Sequence, residues 1–158
     1  MKVDLHNHSY YSDGVYSPNE VVRFADEAGC DLFALTDHDT TDGLNEARQT
    51  ADKLSVDLVS GVEISAFWRN MTIHIIGLDI DINNDILQAG LVHNQQLRKE
   101  RAEKIALGLW RAGIKDALEK TQALSKTDKG KFDKIKHIIK RYESSGGTKL
   151  MGVNPRRK

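Results

Sequence analysis

Asp31-Leu32-Phe33-Ala34-Leu35-Thr36-Asp37-His38-Asp39 decides how the rest of this chain is read. Residues 31–35 form a compact apolar run, which at that length reads as a buried strand. The run stops abruptly at two acids around a histidine, groups that core packing does not call for. Upstream, Ser17-Pro18-Asn19-Glu20 brings three helix-start signals together: a Ser N-cap, Pro at the first helical position and Glu at the third. That helix is expected to bury Val21, Val22, Phe24, Ala25 and Ala28 and to stop at Gly29. Downstream, a helix over about residues 42–53 presents Leu44, Ala47 and Ala51. Residues 2–5 and 56–59 supply two more strands, the latter closed by Ser60-Gly61. A β-α-β-α-β order implies parallel strands with helices packed outside, hence the α/β class.

Further out, residues 72–82 alternate as a sheet strand does, with His74, Ile76, Leu78 and Ile80 on one face. A long helix follows over about residues 84–112, with Leu87, Leu91, Ile105, Leu109 and Trp110 on its apolar side. Its middle, residues 94–103, is strongly polar and is expected to face solvent in part. Another helix is expected over residues 131–143, broken by Gly146-Gly147, with a last short strand over 149–153. The chain holds no internal repeat and no low-complexity tract.

The informative feature is where the polar exceptions fall. His6 and His8 are two apart, so on an extended chain their imidazoles point the same way. Asp13 sits in the turn Ser12-Asp13-Gly14, His38 follows the second strand, Glu63 the third, and His74 lies in the fourth. In parallel α/β folds the carboxyl ends of the strands form the rim on which sites are built. A mixture of imidazole and carboxylate without thiolate suits zinc, manganese or iron, and Glu63 could bridge two ions. Such ions activate water near neutral pH and clamp phosphoryl oxygens, so metal-assisted hydrolysis of a phosphate ester is the expected reaction, with His38 and Glu63 at the reacting centre.

The chain has 158 residues, 39% hydrophobic and 29% charged, which suits one water-soluble globular domain. No apolar run approaches the roughly 20 residues of a membrane span, and the polar start, Met1 to His6, is not expected to be a signal peptide. Cys30 is the only cysteine, which excludes a disulfide scaffold and any thiolate-built metal site and points to a cytoplasmic address. The net charge of zero conceals an asymmetry. Residues 1–124 hold 12 Lys+Arg against 20 Asp+Glu, whereas residues 125–158 hold 11 against 3. The basic segment reads as a solvated face or as a nucleic-acid contact, and bound cations would account for the acidic part.

Four motifs in order also carry a resemblance. Asp4-Leu5-His6-Asn7-His8-Ser9 with Ser12-Asp13-Gly14, Leu35-Thr36-Asp37-His38-Asp39, Gly61-Val62-Glu63-Ile64-Ser65 and Ile73-His74-Ile75-Ile76-Gly77 resemble the PHP (polymerase and histidinol phosphatase) superfamily. Within it they are most similar to the bacterial 3′,5′-nucleoside bisphosphate phosphatases and 5′→3′ exoribonucleases. The resemblance implies a distorted (β/α)7 barrel, here partial and with a helical C-terminal segment, and up to three divalent ions, often manganese. It further implies His6, His8, Asp13, His38, Glu63 and His74 as ligands and a nucleotide or RNA phosphate as substrate. Residues 1–124 would be the N-terminal part of the metal-binding domain, and residues 125–158 a basic tail with a degenerate remnant of the later barrel. In that remnant Asn154 stands where the family has a turn histidine, and no Asp-x-His pair follows Glu63. A closed barrel takes about 200 or more residues. The alternative is therefore an impaired remnant that binds metal or nucleic acid without turnover.

Other polar residues have plainer readings. Asp37 is expected to orient a histidine or bond backbone, and Asp39 or Thr40 to cap the next helix. The run from Asp79 to Asp85 lacks the Gly and Glu of a calcium loop. His93 and His137 read as exposed, Cys30 as a small buried residue. Trp68 and Arg69 are open between contacting a substrate base or phosphate and packing their own loop.

Overall fold

The computed structural model describes residues 1–123. The chain divides into two compact units, Met1–Gln95 and Gln96–Lys158. The first unit holds β1 (Val3–Asn7), α1 (Pro18–Glu27), β2 (Leu32–Leu35), α2 (Leu44–Ala51), β3 (Asp57–Trp68) and β4 (Met71–Leu78). They build one four-stranded sheet in the order β1-β2-β3-β4. β1–β2 and β2–β3 are parallel, with Val3 opposite Leu32 and Leu32 opposite Asp57. The expected α/β pattern is therefore present in this unit.

α1 forms for the reasons its sequence gives. The Ser17 hydroxyl accepts from the Glu20 backbone N–H at 3.2 Å, while the Glu20 carboxylate accepts from the Ser17 N–H at 2.7 Å, a closed capping box. Gly29 ends the helix at φ +72°, and Cys30 N–H bonds back to Ala25 carbonyl while Gly29 N–H bonds to Asp26, the two bonds of a Schellman cap. Val22 and Ala25 pack with Leu44, Ala47 and Ala51 of α2 against Phe33, Leu35 and Val56, with Cys30 buried among them. Each of the larger side chains in this core contributes about 1.5–3 kcal/mol by leaving water.

Several expected details differ. Phe24 and Ala28 are exposed rather than buried; Phe24 instead meets Tyr16 edge-on, ring centroids 4.9 Å apart. β1 runs on through His6 to Asn7, with a register shift between Asp4 and Asn7. The helix over 42–53 is shorter, Leu44–Ala51, with Gly43 at its N-cap and no side-chain cap; Thr40 Oγ1 accepts from Asp42 N–H instead.

The largest difference lies at Ser60-Gly61, which does not end the third strand. β3 is twelve residues long, Asp57–Trp68, and passes through this pair before turning at Arg69 and Asn70, both at positive φ, into antiparallel β4. Gly61 is what allows this passage. A Cβ there would lie 2.7 Å from Thr36 Cγ2 and 3.0 Å from the Leu35 carbonyl oxygen, so only glycine lets β3 run this close to the end of β2. The strand expected over 72–82 ends at Leu78, and Ile80 and Ile82 pack against the core beyond it.

α3 spans Asp85–Arg111. Leu91, Ala102 and Leu109 are buried along it, His93 is exposed as expected, and Trp110 is exposed against expectation. A further short helix, α4 (Ala117–Ala123), was not foreseen; the Thr121 hydroxyl donates to the Ala117 carbonyl within it. The helix expected over 131–143, the strand over 149–153, His137 and Asn154 lie outside the described residues. Among the described residues no helix is long and apolar enough to cross a membrane.

Candidate metal centre

Backbone geometry at the end of β2 sets the centre. β1 carries the irregularity, between Asp4 and Asn7, and just past Leu35 the Thr36 hydroxyl and N–H both bond the Asn7 carbonyl, at 3.1 and 2.8 Å. The chain then rejoins β3 at a single parallel bridge between His38 and Glu63. Glu63 N–H donates to the Asp37 carbonyl at 3.1 Å, and Asp39 N–H to the Glu63 carbonyl at 2.9 Å. Glu63 therefore lies inside β3 rather than after it, and His6 inside β1. His8 follows β1, His38 follows β2, and His74 sits in β4 directly opposite Ser65.

These side chains converge. Glu63, only 6% exposed, directs Oε2 at His6 Nε2 (3.0 Å), His8 Nε2 (3.1 Å) and His38 Nδ1 (3.3 Å), and Oε1 at His74 Nδ1 (3.4 Å). Asp13 closes the far side, its carboxylate oxygens 3.6 Å from His8 Nδ1 and 3.7 Å from His38 Nε2. The imidazoles form a row, with centroids 5.1, 4.7 and 4.9 Å apart from His6 through His8 and His38 to His74. Among the described residues three sets of donor atoms are close enough to hold a cation: His6, His8 and Glu63; His8, Asp13 and His38; His38, Glu63 and His74.

Hydrogen-bond chemistry tests whether a cation fits. His8 faces oxygens from both ring nitrogens: Ser12 Oγ (3.4 Å) and Asp13 at Nδ1, Glu63 at Nε2. Ser12 Oγ–H already donates to Asp37 Oδ1 at 2.6 Å, so toward His8 it can only accept. His38 likewise lies between Glu63 and Asp13. A neutral imidazole has one N–H, so a ring placed between two acceptors leaves one lone pair facing oxygen. A cation between nitrogen and carboxylate turns that opposition into ligation. The donor set, imidazole and carboxylate without thiolate, fits a divalent ion.

A second layer of contacts holds this arrangement. Asp37 is buried and accepts from Ser9 N–H (2.8 Å), Ser9 Oγ–H (2.6 Å) and Ser12 Oγ–H. Burial pushes its carboxyl above the usual range, and the Ser12 and Ser9 hydrogen bonds oppose that rise. Asp37 thus bonds backbone and hydroxyls of the loop carrying His8 and Asp13 rather than a histidine. Asp39 caps no helix. At φ +51° it turns its carboxylate to Ser65 N–H and to Asn94 Nδ2 of α3, both at 2.8 Å, while Gln95 Nε2 bonds its carbonyl at 2.7 Å. Ser9, Ser12, Asn94 and Gln95 were not foreseen in these roles. Hydroxyl and amide side chains have no spacing rule that marks them as partners of a distant acid.

A half-barrel sheet of mixed pairing, with a buried carboxylate ringed by imidazoles, defines an α/β fold that carries a candidate metal site. The chain belongs to the PHP domain family, whose pattern matches residues 4–152. It is 43% identical over 124 residues to a 5′-3′ exoribonuclease of Haemophilus influenzae, covering 78% of this chain and 45% of that protein. It is 38% identical over 149 residues to a 3′,5′-nucleoside bisphosphate phosphatase of Chromobacterium violaceum, covering 94% and 52%. Among solved structures, an amidohydrolase from Chromobacterium violaceum with bound sulfate and no metal superposes with a TM-score of 0.83 at 35% identity, over 99% of this chain and 55% of that one. The chain spans about half the length of the curated relatives it matches. Its curled sheet corresponds to the N-terminal half of PHP structures.

Proposed function

We propose that this chain is a metal-dependent phosphoesterase that hydrolyses nucleotide or RNA phosphate esters, with residues 1–124 as the N-terminal part of its metal-binding domain. His6, His8, Asp13, His38, Glu63 and His74 would hold divalent ions, manganese before zinc or iron. The observation that carries this reading is the placement of His8 and His38, each with oxygen acceptors on both ring nitrogens, around the buried carboxylate of Glu63. Divalent ions bound there would supply Lewis acidity, neutralising phosphoryl charge and acidifying water near neutral pH. The chain's own part is to fix the donors. Ser12 and Asp13 favour the proton on Nδ1 of His8, which leaves Nε2 free to ligate. The clamp of Asp37 on Ser9 and Ser12 holds the His8–Asp13 loop, and the His38–Glu63 backbone bridge fixes the spacing of the two residues expected at the reacting centre. The nucleotide substrate class is supported by the likeness to an exoribonuclease and to a nucleoside bisphosphate phosphatase.

Elemental analysis beside a phosphatase assay on a 3′,5′-bisphosphonucleotide with added manganese tests the reading. Two or more ions per chain with release of phosphate is the expected result, and Glu63→Gln should lose both. Full activity in Glu63→Gln would overturn the assigned site. A second reading, cation binding without turnover, is favoured by Asn154 at the turn-histidine position. One weakly held ion with no phosphate release would establish it.

A further inference from the structure

β3 loses its parallel neighbour partway along. β2 ends at Leu35, the chain meets β3 once more at the His38–Glu63 bridge, and Asp39 at φ +51° then turns it away. The Glu63 peptide is still paired by backbone, its N–H to the Asp37 carbonyl and its carbonyl to Asp39 N–H. Two residues on, the Ser65 peptide faces the same edge, as alternate residues of a strand do. There side chains fill the place of a strand. Ser65 N–H donates to Asp39 Oδ1 at 2.8 Å, and the Ser65 carbonyl accepts from Asn94 Nδ2 at 2.8 Å. The same Nδ2 donates to Asp39 Oδ1 at 2.8 Å, and Gln95 Nε2 donates to the Asp39 carbonyl at 2.7 Å. Carboxylate and amide together thus offer Ser65 one acceptor and one donor, as a neighbouring peptide would.

Both partners of Asn94 Nδ2 are oxygens that accept, which fixes the NH2 end of the amide toward them. Each corner of this triangle also adjoins a candidate ligand. Asp39 follows His38, and Ser65 lies two residues beyond Glu63 and directly opposite His74. Those three neighbours, His38, Glu63 and His74, are one of the donor sets. His6 and His8 belong to β1 and the loop after it, which Asp37 holds through Ser9 and Ser12. Alternation puts Ser65 on the Glu63 face of the hairpin and Trp68 on the other. There Arg69 lies 5.7 Å from the Trp68 ring centroid, so that pair belongs to the hairpin tip.

We propose that Asn94 is a positioning residue: its amide latches the loop that carries His38 to the hairpin that carries Glu63 and His74, and so sets the spacing of that one donor set. Gln95 supports it by gripping the Asp39 backbone. This rests on the metal-dependent reading of the centre and adds to it a part played by α3, on which none of the six candidate ligands lies.

Asn94→Asp tests the latch, because it keeps the shape of the side chain while setting acceptors against the Asp39 carboxylate and the Ser65 carbonyl. Proton–nitrogen NMR of the imidazoles in the metal-free full chain reads the spacing directly. The His38 and His74 ring signals should move, and those of His6 should move least. Manganese titration, followed by the paramagnetic signal of the free ion, reads the consequence. One ion should bind roughly ten- to hundred-fold more weakly, the usual range for a contact one step behind a ligand, while another keeps its affinity. Asn94→Ala, which removes the donors without adding charge, should act in the same direction and serves if Asn94→Asp does not fold. Ser17→Ala, which opens the cap of α1, should leave rings and ions as they are. Unmoved His38 and His74 signals in the Asn94 variants would overturn the latch. Equal movement of all four rings, or a uniform loss across all ions, would overturn it as well, since either would mean general loosening. A chain that takes up no manganese would sink the metal-dependent reading, and the ring signals would still judge the latch.

Discussion

β3 lives in two environments. Its first residues, from Asp57 to Ser60, pair in parallel with β2 and lie beside the core built by α1 and α2. Among the described residues its last part pairs with antiparallel β4 alone, and there Phe67, Trp68, Met71, Ile73 and Ile75 are exposed. Glu63 sits at the junction. The parallel part supplies a rigid, dry anchor for its backbone, and the hairpin part carries His74 to its other carboxylate oxygen. A metal centre needs both, since donors must be held firmly and still be reachable.

The contrast can be broken most forcefully in the core. Phe33→Ala should lower stability by about 3–5 kcal/mol, because Phe33 is fully buried between β1, β3 and the helices; denaturant unfolding measures it. Next comes the junction itself. Manganese at about a hundred times its dissociation constant should stabilise the chain by about 2.7 kcal/mol in thermal unfolding, and Glu63→Gln should remove that gain. A smaller change, about 1 kcal/mol, is expected for Ser17→Ala, which opens the capping box of α1 over the parallel part. Ile75→Thr on the outer face of the hairpin should shift stability by no more than about 0.5 kcal/mol. A loss several times larger would mean that this face is packed, and the contrast between the two parts of β3 would disappear.

The parallel part of the sheet is legible because its signals are local. Ser17-Pro18-Asn19-Glu20, Gly29 and the apolar run before Thr36 each act within a few residues, and each element forms where they place it. The members of the candidate site are polar exceptions visible in the chain, and the six come together in space, although His6, Glu63 and His74 lie within strands rather than at their ends. The hairpin was harder to read. Ser60-Gly61 has the composition of a stop, yet glycine is there for close approach to Thr36, a contact between residues 25 positions apart. The turn gave no glycine either; Arg69 and Asn70 adopt the positive φ values of a tight hairpin without one. Asp39 misled for a similar reason. Its position before a helix suggested a cap, but its partners, Ser65 and Asn94, lie 26 and 55 residues away.

The missing side chain at position 61 acts as a spacer gauge. Two strands are held at their separation by the absence of a single carbon, and the gap between His38 and Glu63 is set just beyond it. An alanine there would work as a wedge, widening the mouth of the cage without touching any group that lines it. If the proposed function holds, cation grip would slacken with it, which gives this silent backbone position a share in the work of the six candidate donors.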